Sequence, residues 1–278
     1  MDRIRVGVNG YGVIGKRVAD AVHAQPDMHL VGVADIVTDW RIQSAVPRLP
    51  VFAATPDAHS GMVDTGIRPE GTLDDLLAQS DVIVDTTPKH VAAGNLPRYQ
   101  AAGVKVIVQG GEAHSTTGHS FVAQANYATA LGRDLTRVVS CNTTSIVRVL
   151  GALENAGLLL RARGVLIRRA TDPWESHLGG IMNTMVPEPV IPSHQGPDAK
   201  TVLPDLDVVT IDAKGAHTQT HNHYWTLQLT RRASRDEVLD ALRAAPRIAF
   251  IRMSDGLVAL NSTVELMRDL GRPRGDMW

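Results

Sequence analysis

The feature that most constrains the fold is a group of three glycines near the start of the chain, Gly10, Gly12 and Gly15, in the spacing G-x-G-x-x-G. Residues 4–9 precede the group and predict a strand, and residues 16–22 follow it with the pattern of a helix. In this context the first glycine makes a tight turn, the second lets the backbone approach a pyrophosphate, and the third lets the helix pack against the strand. The sequence therefore predicts a dinucleotide-binding unit, with the pyrophosphate on the helix N-terminus.

An acidic residue follows the second apolar run, residues 28–34. This residue, Asp35, lies 20 residues after Gly15. A carboxylate at this distance accepts hydrogen bonds from the adenosine ribose of NAD and repels the 2′-phosphate of NADP. Asp35 therefore favours NAD, whereas Lys16 and Arg41 are close enough in sequence to leave NADP open. The competing interpretation of Asp35 is a surface cap of the next helix.

Strand and helix patterns continue to alternate through the first half. The further predicted elements are strands at 81–85 and 104–108 and helices at 73–79 and 92–102. This order predicts a doubly wound parallel sheet of the Rossmann type, in which ligands bind at the carboxyl ends of the strands. Thr87, Pro88 and Gly111 follow two of these strands and become candidates for cofactor binding.

The only cysteine, Cys141, stands where a predicted strand ending at Val139 meets a predicted helix, residues 142–157. The free N–H groups and the dipole at a helix N-terminus favour an anion, and a thiolate is such an anion. Cys141 is therefore a candidate nucleophile, and the competing interpretation is a small buried apolar residue. A single cysteine excludes an internal disulfide and fits a reducing compartment.

The second half predicts a mixed α+β domain with mostly antiparallel strands. Its predicted elements are strands at 164–169, 207–212, 221–229 and 248–251, helices at 235–244 and 262–270, and an irregular segment at 171–201. Arg168 and Arg169 end a strand and suit phosphate, or else are a solvated pair. His221 and His223 share a strand face, but no further ligands have persuasive spacing, so no metal site is predicted. The predicted domains are residues 1–139 and 140–278.

The composition excludes several classes of protein. The formal net charge of −1 at pH 7 lacks the basic excess of a nucleic-acid-binding or membrane-surface protein. No apolar run approaches the ~18–20 residues of a membrane span. Residues 1–9 have the pattern of a strand rather than of a signal peptide. We therefore expect a cytoplasmic protein with neither nucleic-acid nor membrane partners.

The sequence resembles archaeal-type (type II) glyceraldehyde-3-phosphate dehydrogenase over nearly its whole length. The stretch Ser140-Cys141-Asn142-Thr143-Thr144 is central to this resemblance. The other matching stretches are residues 8–12 with 15–22, 109–112, 138–139, 168–169 with 172–173, 192–194 with 196–198, and 269–276. So many matches in the same order identify the family.

The resemblance implies roles for individual residues. Cys141 would be the nucleophile, and His221, the first histidine of an H-x-H strand, would be the base. The substrate-binding residues would be Ser140, Asn142, Thr143, Arg168, His194 and Gln195. Besides the glycine motif and Asp35, the cofactor-binding residues would include Val13, Ile14, Gly111 and Arg169, with Arg168 facing phosphate.

The resemblance also implies the reaction: D-glyceraldehyde 3-phosphate, inorganic phosphate and NAD(P) give 1,3-bisphosphoglycerate and NAD(P)H through a cysteine thioester, as in glycolysis. It further implies a homo-oligomer, either a dimer or a tetramer. Three departures stand out. Asp35 ends the second predicted strand, where archaeal members often lack an acidic residue and favour NADP. Gln195 occupies the place of a second family histidine, and family members continue past the position of Trp278 with a tail that this sequence lacks.

These departures leave two alternative functions. The same chemistry could act on another phosphorylated or phosphonate-bearing aldehyde, which Gln195 motivates. The chain could instead be a non-catalytic nucleotide-binding protein, which the lacking tail motivates.

Overall fold

The computed structural model describes residues 3–109, 111–172 and 181–277, and the chain divides into two units. The first unit comprises Met1–Phe121 and Tyr127–Ser140, and the second comprises Val122–Asn126 and Cys141–Trp278. The main division thus falls between Ser140 and Cys141, next to the predicted boundary. The sequence did not predict that Val122–Asn126 groups with the second unit.

A parallel sheet forms the centre of the first unit. Its strands are β1 (Ile4–Asn9), β2 (Met28–Asp35), β3 (Val51–Ala53), β4 (Gly71–Thr72), β5 (Val82–Asp85), β6 (Lys105–Val108), β7 (Ser120–Phe121) and β8 (Leu135–Val138). They lie in the order β4-β3-β2-β1-β5-β6-β8-β7, and every pairing is parallel. This order runs outward from β1 in both directions and confirms the predicted doubly wound sheet.

Helices connect these strands. They are α1 (Val13–His23), α2 (Trp40–Gln43), α3 (Pro56–Asp64), α4 (Leu73–Ala78), α5 (Val91–Ala101), α6 (His114–Thr117) and α7 (Ala123–Ala130). Successive strand residues point to opposite faces of a sheet, and both faces of this one are buried. On β5, Ile83 packs in one apolar cluster with Leu76 and Leu77, whereas Val84 packs in the other with Val8 and Val33.

The second unit contains a mixed sheet of four strands. They are β9 (Leu159–Arg169), β10 (Val186–Pro187), β11 (Val208–Gly215) and β12 (Asn222–Leu229), in the order β10-β11-β9-β12. The pair β9–β11 is parallel, and the pairs β10–β11 and β9–β12 are antiparallel, as predicted for most of the sheet. The helices of this unit are α8 (Cys141–Asn155), α9 (Gln195–Lys200), α10 (Arg235–Ala244) and α11 (Leu260–Asp269).

Two predictions for the second half are corrected. Residues 248–251 do not form a strand, because none of the described strands pairs with them and Phe250 and Ile251 are about half exposed. The segment predicted to be irregular, 171–201, contains β10 and α9, although its residues 173–180 lie outside the described ranges. Gly110 and Pro173, in stretches that carry the resemblance, also lie outside. In the described part of the chain, no helix is both long and apolar enough to cross a membrane.

A buried hydrogen-bond network fixes the carboxyl end of β5. Asp85 accepts hydrogen bonds from the Tyr99 hydroxyl at 2.6 Å and from Asn95 at 3.0 Å, and Asn9 donates to the Tyr99 oxygen at 2.7 Å. The other oxygen of Asp85 accepts from the backbone N–H of Thr87 at 2.9 Å. Burial and the adjacent Asp85 charge both raise the pKa of Tyr99, so its hydroxyl remains a donor. The network therefore holds the turn that follows β5.

We predict that Tyr99→Phe destabilises the protein by about 1–3 kcal/mol, because it removes the buried donor to Asp85 and the acceptor for Asn9. Urea denaturation measures the loss. The matched control is Tyr127→Phe, at an exposed tyrosine in the same unit, which should change stability by no more than about 0.5 kcal/mol. Equal effects of the two substitutions would show that the network contributes no specific stability.

Candidate active site

The glycine turn of the first unit has the geometry that its motif requires. Gly10 has a φ of +93°, and a Cβ there would lie 2.9 Å from the backbone nitrogen of Thr87. A Cβ at Gly15 would lie 1.9 Å from the carbonyl oxygen of Gly10. Both positions therefore require glycine, the first for its backbone conformation and the second for close packing of helix on strand.

The space in front of α1 fits a dinucleotide phosphate. Gly12 is the N-cap residue, no side chain caps this helix end, and a Cβ at Gly12 would meet no atom within 4 Å. The first turn of the helix, which starts at Val13 and Ile14, has N–H groups without intrahelical acceptors. Those N–H groups and the helix dipole suit an anion at this end.

Asp35 links the end of β2 to the glycine turn. One of its carboxylate oxygens accepts the backbone N–H of Tyr11 at 2.6 Å, and the other accepts that of Ile36 at 2.7 Å. Asp39, not Asp35, caps the next helix by accepting from the Arg41 N–H at 3.0 Å, so the competing interpretation of Asp35 is wrong.

The nearby cations have different partners. Side-chain hydrogen bonds of 2.6–3.0 Å tie Arg41 to Asp39. The Lys16 ammonium lies over the rings of Tyr11 and Trp40, 5.4 Å and 4.7 Å from their centroids. Arg41 is thus paired with Asp39, and Lys16 lies over two aromatic rings beside the glycine turn.

The remaining cofactor candidates of this unit follow β5 and β6. Thr87 is partly buried, Pro88 is exposed, and Gly111 has a φ of +84°. The hydroxyl of Thr86 donates to the Gly10 carbonyl at 2.6 Å, which ties the turn after β5 to the glycine turn. These residues accordingly border one end of the sheet.

A cysteine–histidine pair lies in the second unit. Cys141 begins α8 and is exposed, as expected for a nucleophile and not for a core residue. Its Sγ lies 3.2 Å from Nε2 of His221, which immediately precedes β12. The two residues are 80 positions apart in the chain, yet the fold brings them within hydrogen-bond distance. This contact is the reactive centre of the candidate site.

His221 is oriented and electrostatically tuned by its surroundings. The backbone N–H of Arg169, the last residue of β9, donates to Nδ1 at 3.2 Å. Burial, followed by the charges of Arg169, His223 and Arg168, lowers the pKa of His221 to about 3. The imidazole is therefore neutral at physiological pH.

Hydrogen bonds from β12 and to α9 fix the two residues that follow Cys141. His223 Nε2 donates to Oδ1 of the buried Asn142 at 2.8 Å, and burial lowers the pKa of His223 to about 4. Thr143, which is fully buried, donates to Asp198 on α9 at 2.8 Å. His221 and His223 thus have different partners, and Thr143 stabilises α8 rather than facing solvent.

Arg168 lies beside an acidic partner on the neighbouring strand, β11. Its Nη1 is 3.2 Å from Oδ2 of Asp212, and the two side chains are only 15% and 1% exposed. Arg169 pairs with Asp172. The interpretation of the two arginines as a solvated pair is therefore wrong.

His194 lies near this ion pair. Its ring, the Glu188 carboxylate and the Asp212 carboxylate have ligand atoms within 4.8 Å of one another, a group that could hold a metal ion, which the sequence did not predict. The Asp212 carboxylate is already paired with the Arg168 guanidinium, so a positive charge of the protein itself lies next to this group.

Two predicted substrate residues have unexpected settings. Gln195 has no exposed surface, and its amide nitrogen and oxygen have no hydrogen-bond partner among the residues that the structure describes. Ser140 is partly buried at the end of the first unit. Sequence reasoning missed Asp212 and the Arg169 N–H. The alternating pattern of β11, which places Asp212 on the buried face with Val208 and Thr210, was the available signal for the first.

Comparison with protein families assigns the two halves separately. Residues 4–143 match the N-terminal region of dihydrodipicolinate reductase. Residues 140–269 match the C-terminal domain of glyceraldehyde 3-phosphate dehydrogenase. The junction of the two matches coincides with the start of α8, where Cys141 lies.

Several archaeal proteins are similar to the whole chain. Glyceraldehyde-3-phosphate dehydrogenase of Methanococcoides burtonii is 42% identical, with 100% of this chain and 82% of the relative aligned. The enzyme of the same name from Halobacterium salinarum is 43% identical, with 99% and 82% aligned. Among solved structures, aspartate semialdehyde dehydrogenase II from Vibrio cholerae has a TM-score of 0.68 at 12% identity and covers 90% of this chain and 82% of its own. That likeness concerns the fold alone.

Proposed function

The chain belongs to the glyceraldehyde-3-phosphate dehydrogenase family, and from this premise we propose that it is an NAD(P)-dependent phosphorylating aldehyde dehydrogenase acting on D-glyceraldehyde 3-phosphate. The observation that carries the proposal is the 3.2 Å contact between Cys141 Sγ and His221 Nε2 at the start of α8. It combines a nucleophile, a helix N-terminus and an oriented imidazole, which is the arrangement that covalent catalysis at a carbonyl carbon requires.

Cys141 carries the first half of the proposed reaction. Its thiolate attacks the aldehyde carbon, a C–S bond forms, and the former carbonyl oxygen faces His221. Hydride loss from the same carbon then gives a thioester. The N-terminus of α8 and the Asn142 region stabilise the negative oxygen, because N–H groups there donate into the space beside Cys141.

Arg168 supports the second half. Inorganic phosphate attacks the thioester carbon, the C–S bond breaks, and the acyl phosphate leaves with the thiolate restored. A guanidinium suits phosphate because its planar fork donates two hydrogen bonds at once. The buried Asp212 holds this guanidinium at 3.2 Å, and exposed His194 lies near it. A thioester keeps the energy of aldehyde oxidation that hydrolysis would release.

The first unit supplies the cofactor site in this proposal. Bound NAD(P) contributes a hydride acceptor, which none of the side chains can provide. The proposed cofactor contacts of this unit are the glycine turn, the start of α1, Thr87, Pro88 and Gly111. Asp35 supports NAD over NADP.

Family membership also supports a homo-oligomer that works in the cytoplasm as part of glycolysis. A row of apolar side chains supports such an assembly, since Val165 lies between Ile211 and Tyr224 in the register of the second sheet and all three are exposed. Burial of these side chains by a second copy would be favourable.

The two alternative functions lose their support. Another aldehyde substrate was motivated by Gln195, which has no exposed surface. A non-catalytic role does not explain an exposed thiol in contact with an oriented, neutral imidazole.

We predict that Cys141→Ser abolishes phosphate-dependent reduction of NAD by D-glyceraldehyde 3-phosphate, with a loss of at least about 10³-fold, because an alcohol is a far weaker nucleophile than a thiolate. NAD binding, followed by fluorescence titration, should remain within about twofold. Ser145→Ala, an exposed change on the same helix, is the control and should retain full activity. Turnover of Cys141→Ser at the rate of the unaltered protein would end the proposal.

We also predict that Asp35→Asn shifts the ratio of kcat/KM for NAD over NADP by about tenfold towards NADP. The substitution removes a negative charge that repels the 2′-phosphate, an interaction worth on the order of 1–4 kcal/mol near a protein surface. Steady-state rates with both cofactors measure the ratio. Asp57→Asn, in the first turn of α3, is the control and should leave it unchanged. An unaltered ratio in Asp35→Asn would remove Asp35 from cofactor selection.

A further inference from the structure

An open groove lies in the second unit between α8 and α10. Its volume is about 330 Å³, which is within the range of pockets that hold small molecules. Small or apolar side chains form most of its wall, among them Val147, Gly151 and Ala152 of α8, Ala241 and Ala244 of α10, and Leu203. The groove can therefore bury the apolar body of a ligand.

Arg148 brings a positive charge to this wall. Its Nε donates to Oε1 of Gln124, which also lines the groove, at 3.1 Å. Its two Nη nitrogens have no hydrogen-bond or ion-pair partner among the described residues. Gln124 thus orients the guanidinium, and the two Nη groups remain available to a further acceptor.

The protein does not compensate the charge of Arg148. The charged group that acts on it is a second cation, Arg247, which follows the wall residue Pro246 in the chain. In the part of the chain that the structure describes, neither arginine pairs with a carboxylate, whereas Arg243 of α10 pairs with Asp240. Burial and the charge of Arg247 both lower the pKa of Arg148. A partly buried cation without a counter-charge is stabilised when an anion binds to it.

We propose that this groove is a binding site for a small organic anion, whose charged oxygens contact the Nη groups of Arg148 and whose apolar body lies between α8 and α10. A guanidinium binds two oxygens of a carboxylate or of a phosphate at once, so either head group has the required chemistry. The site is separate from the thiol, because Cys141 does not line the groove and lies about 10 Å from Arg148 along the axis of α8. The inference goes beyond the proposed function and does not depend on it.

Isothermal titration calorimetry with model ligands tests the proposed chemistry. Octanoate has both an anionic head and an apolar body, octanamide lacks the charge, and acetate lacks the body. In a buffer without phosphate, we expect octanoate to bind at least about tenfold more tightly than either of the others, because each of them makes only one of the two favourable interactions. Octyl phosphate, measured in parallel, shows which head group the site prefers. Octanamide that binds as tightly as octanoate would overturn the proposal.

Three variants test whether the ligand binds in the groove. Arg148→Met keeps most of the side-chain length and removes the charge, and we expect it to weaken octanoate binding at least about tenfold. Arg232→Met, at an exposed arginine of the same unit, is the matched control and should change the affinity by less than about twofold. Ala152→Leu keeps Arg148 but fills the groove, and we expect a similar loss from it even if Arg148→Met does not fold.

Unchanged affinity in Ala152→Leu, or in folded Arg148→Met, would show that octanoate binds elsewhere and would refute the site. The titrations use neither NAD nor aldehyde, so their result is independent of the proposed enzymatic function.

Discussion

The contact between Cys141 and His221 depends on the register of one small sheet. The pairing of β9 with β12 aligns Ile167 with Asn222, and so brings His221 beside the backbone of Arg169. A shift of one residue would turn every side chain of β12 to the opposite face and would remove the imidazole from the sulfur. The chemistry of the thiol therefore depends on strand pairing at least as much as on the residues that flank it.

The same sheet positions the side chains of the proposed phosphate site. Parallel pairing of β9 with β11 aligns Arg168 with Lys214, two residues beyond Asp212, and the buried Asp212 carboxylate contacts the guanidinium. A paired arginine loses less side-chain entropy when it binds phosphate, because its position is already fixed. One sheet thus orients the imidazole through a backbone N–H and the guanidinium through a carboxylate. In the first unit a buried carboxylate has a similar effect: Asp85 fixes the turn after β5 by accepting hydrogen bonds from Tyr99 and Thr87.

Much of the fold was predictable because its signals are local. The glycines of the first turn are required because backbone atoms approach them closely, and this requirement appears in the sequence as a fixed spacing. Asp35 could be identified because it lies at a typical distance from that glycine motif. The position of Cys141 at a helix start was likewise visible from the patterns on either side of it. Its pairing with His221 came from the family resemblance, since no spacing connects two residues 80 positions apart.

The details that sequence reasoning missed are set by tertiary contacts. The ion pair Asp212–Arg168 and the hydrogen bond His223–Asn142 join elements that are distant in the sequence. Local sequence patterns do not show how such elements align. Helix α9 was missed because Gly196 and Pro197 obscure its short helical pattern. Residues 248–251 have a strand-like composition, but an apolar run forms a strand only where a neighbour accepts its backbone hydrogen bonds.

The central claim is that Cys141 carries the oxidised substrate as a thioester. The most direct test is mass spectrometry of the protein after incubation with D-glyceraldehyde 3-phosphate and NAD without inorganic phosphate, followed by acid quenching and peptide mapping. We expect a phosphoglyceroyl adduct on the peptide that contains Cys141, and we expect inorganic phosphate to remove it before the quench. Reduction of NAD with Cys141 unmodified, or an adduct on a different residue, would contradict the account.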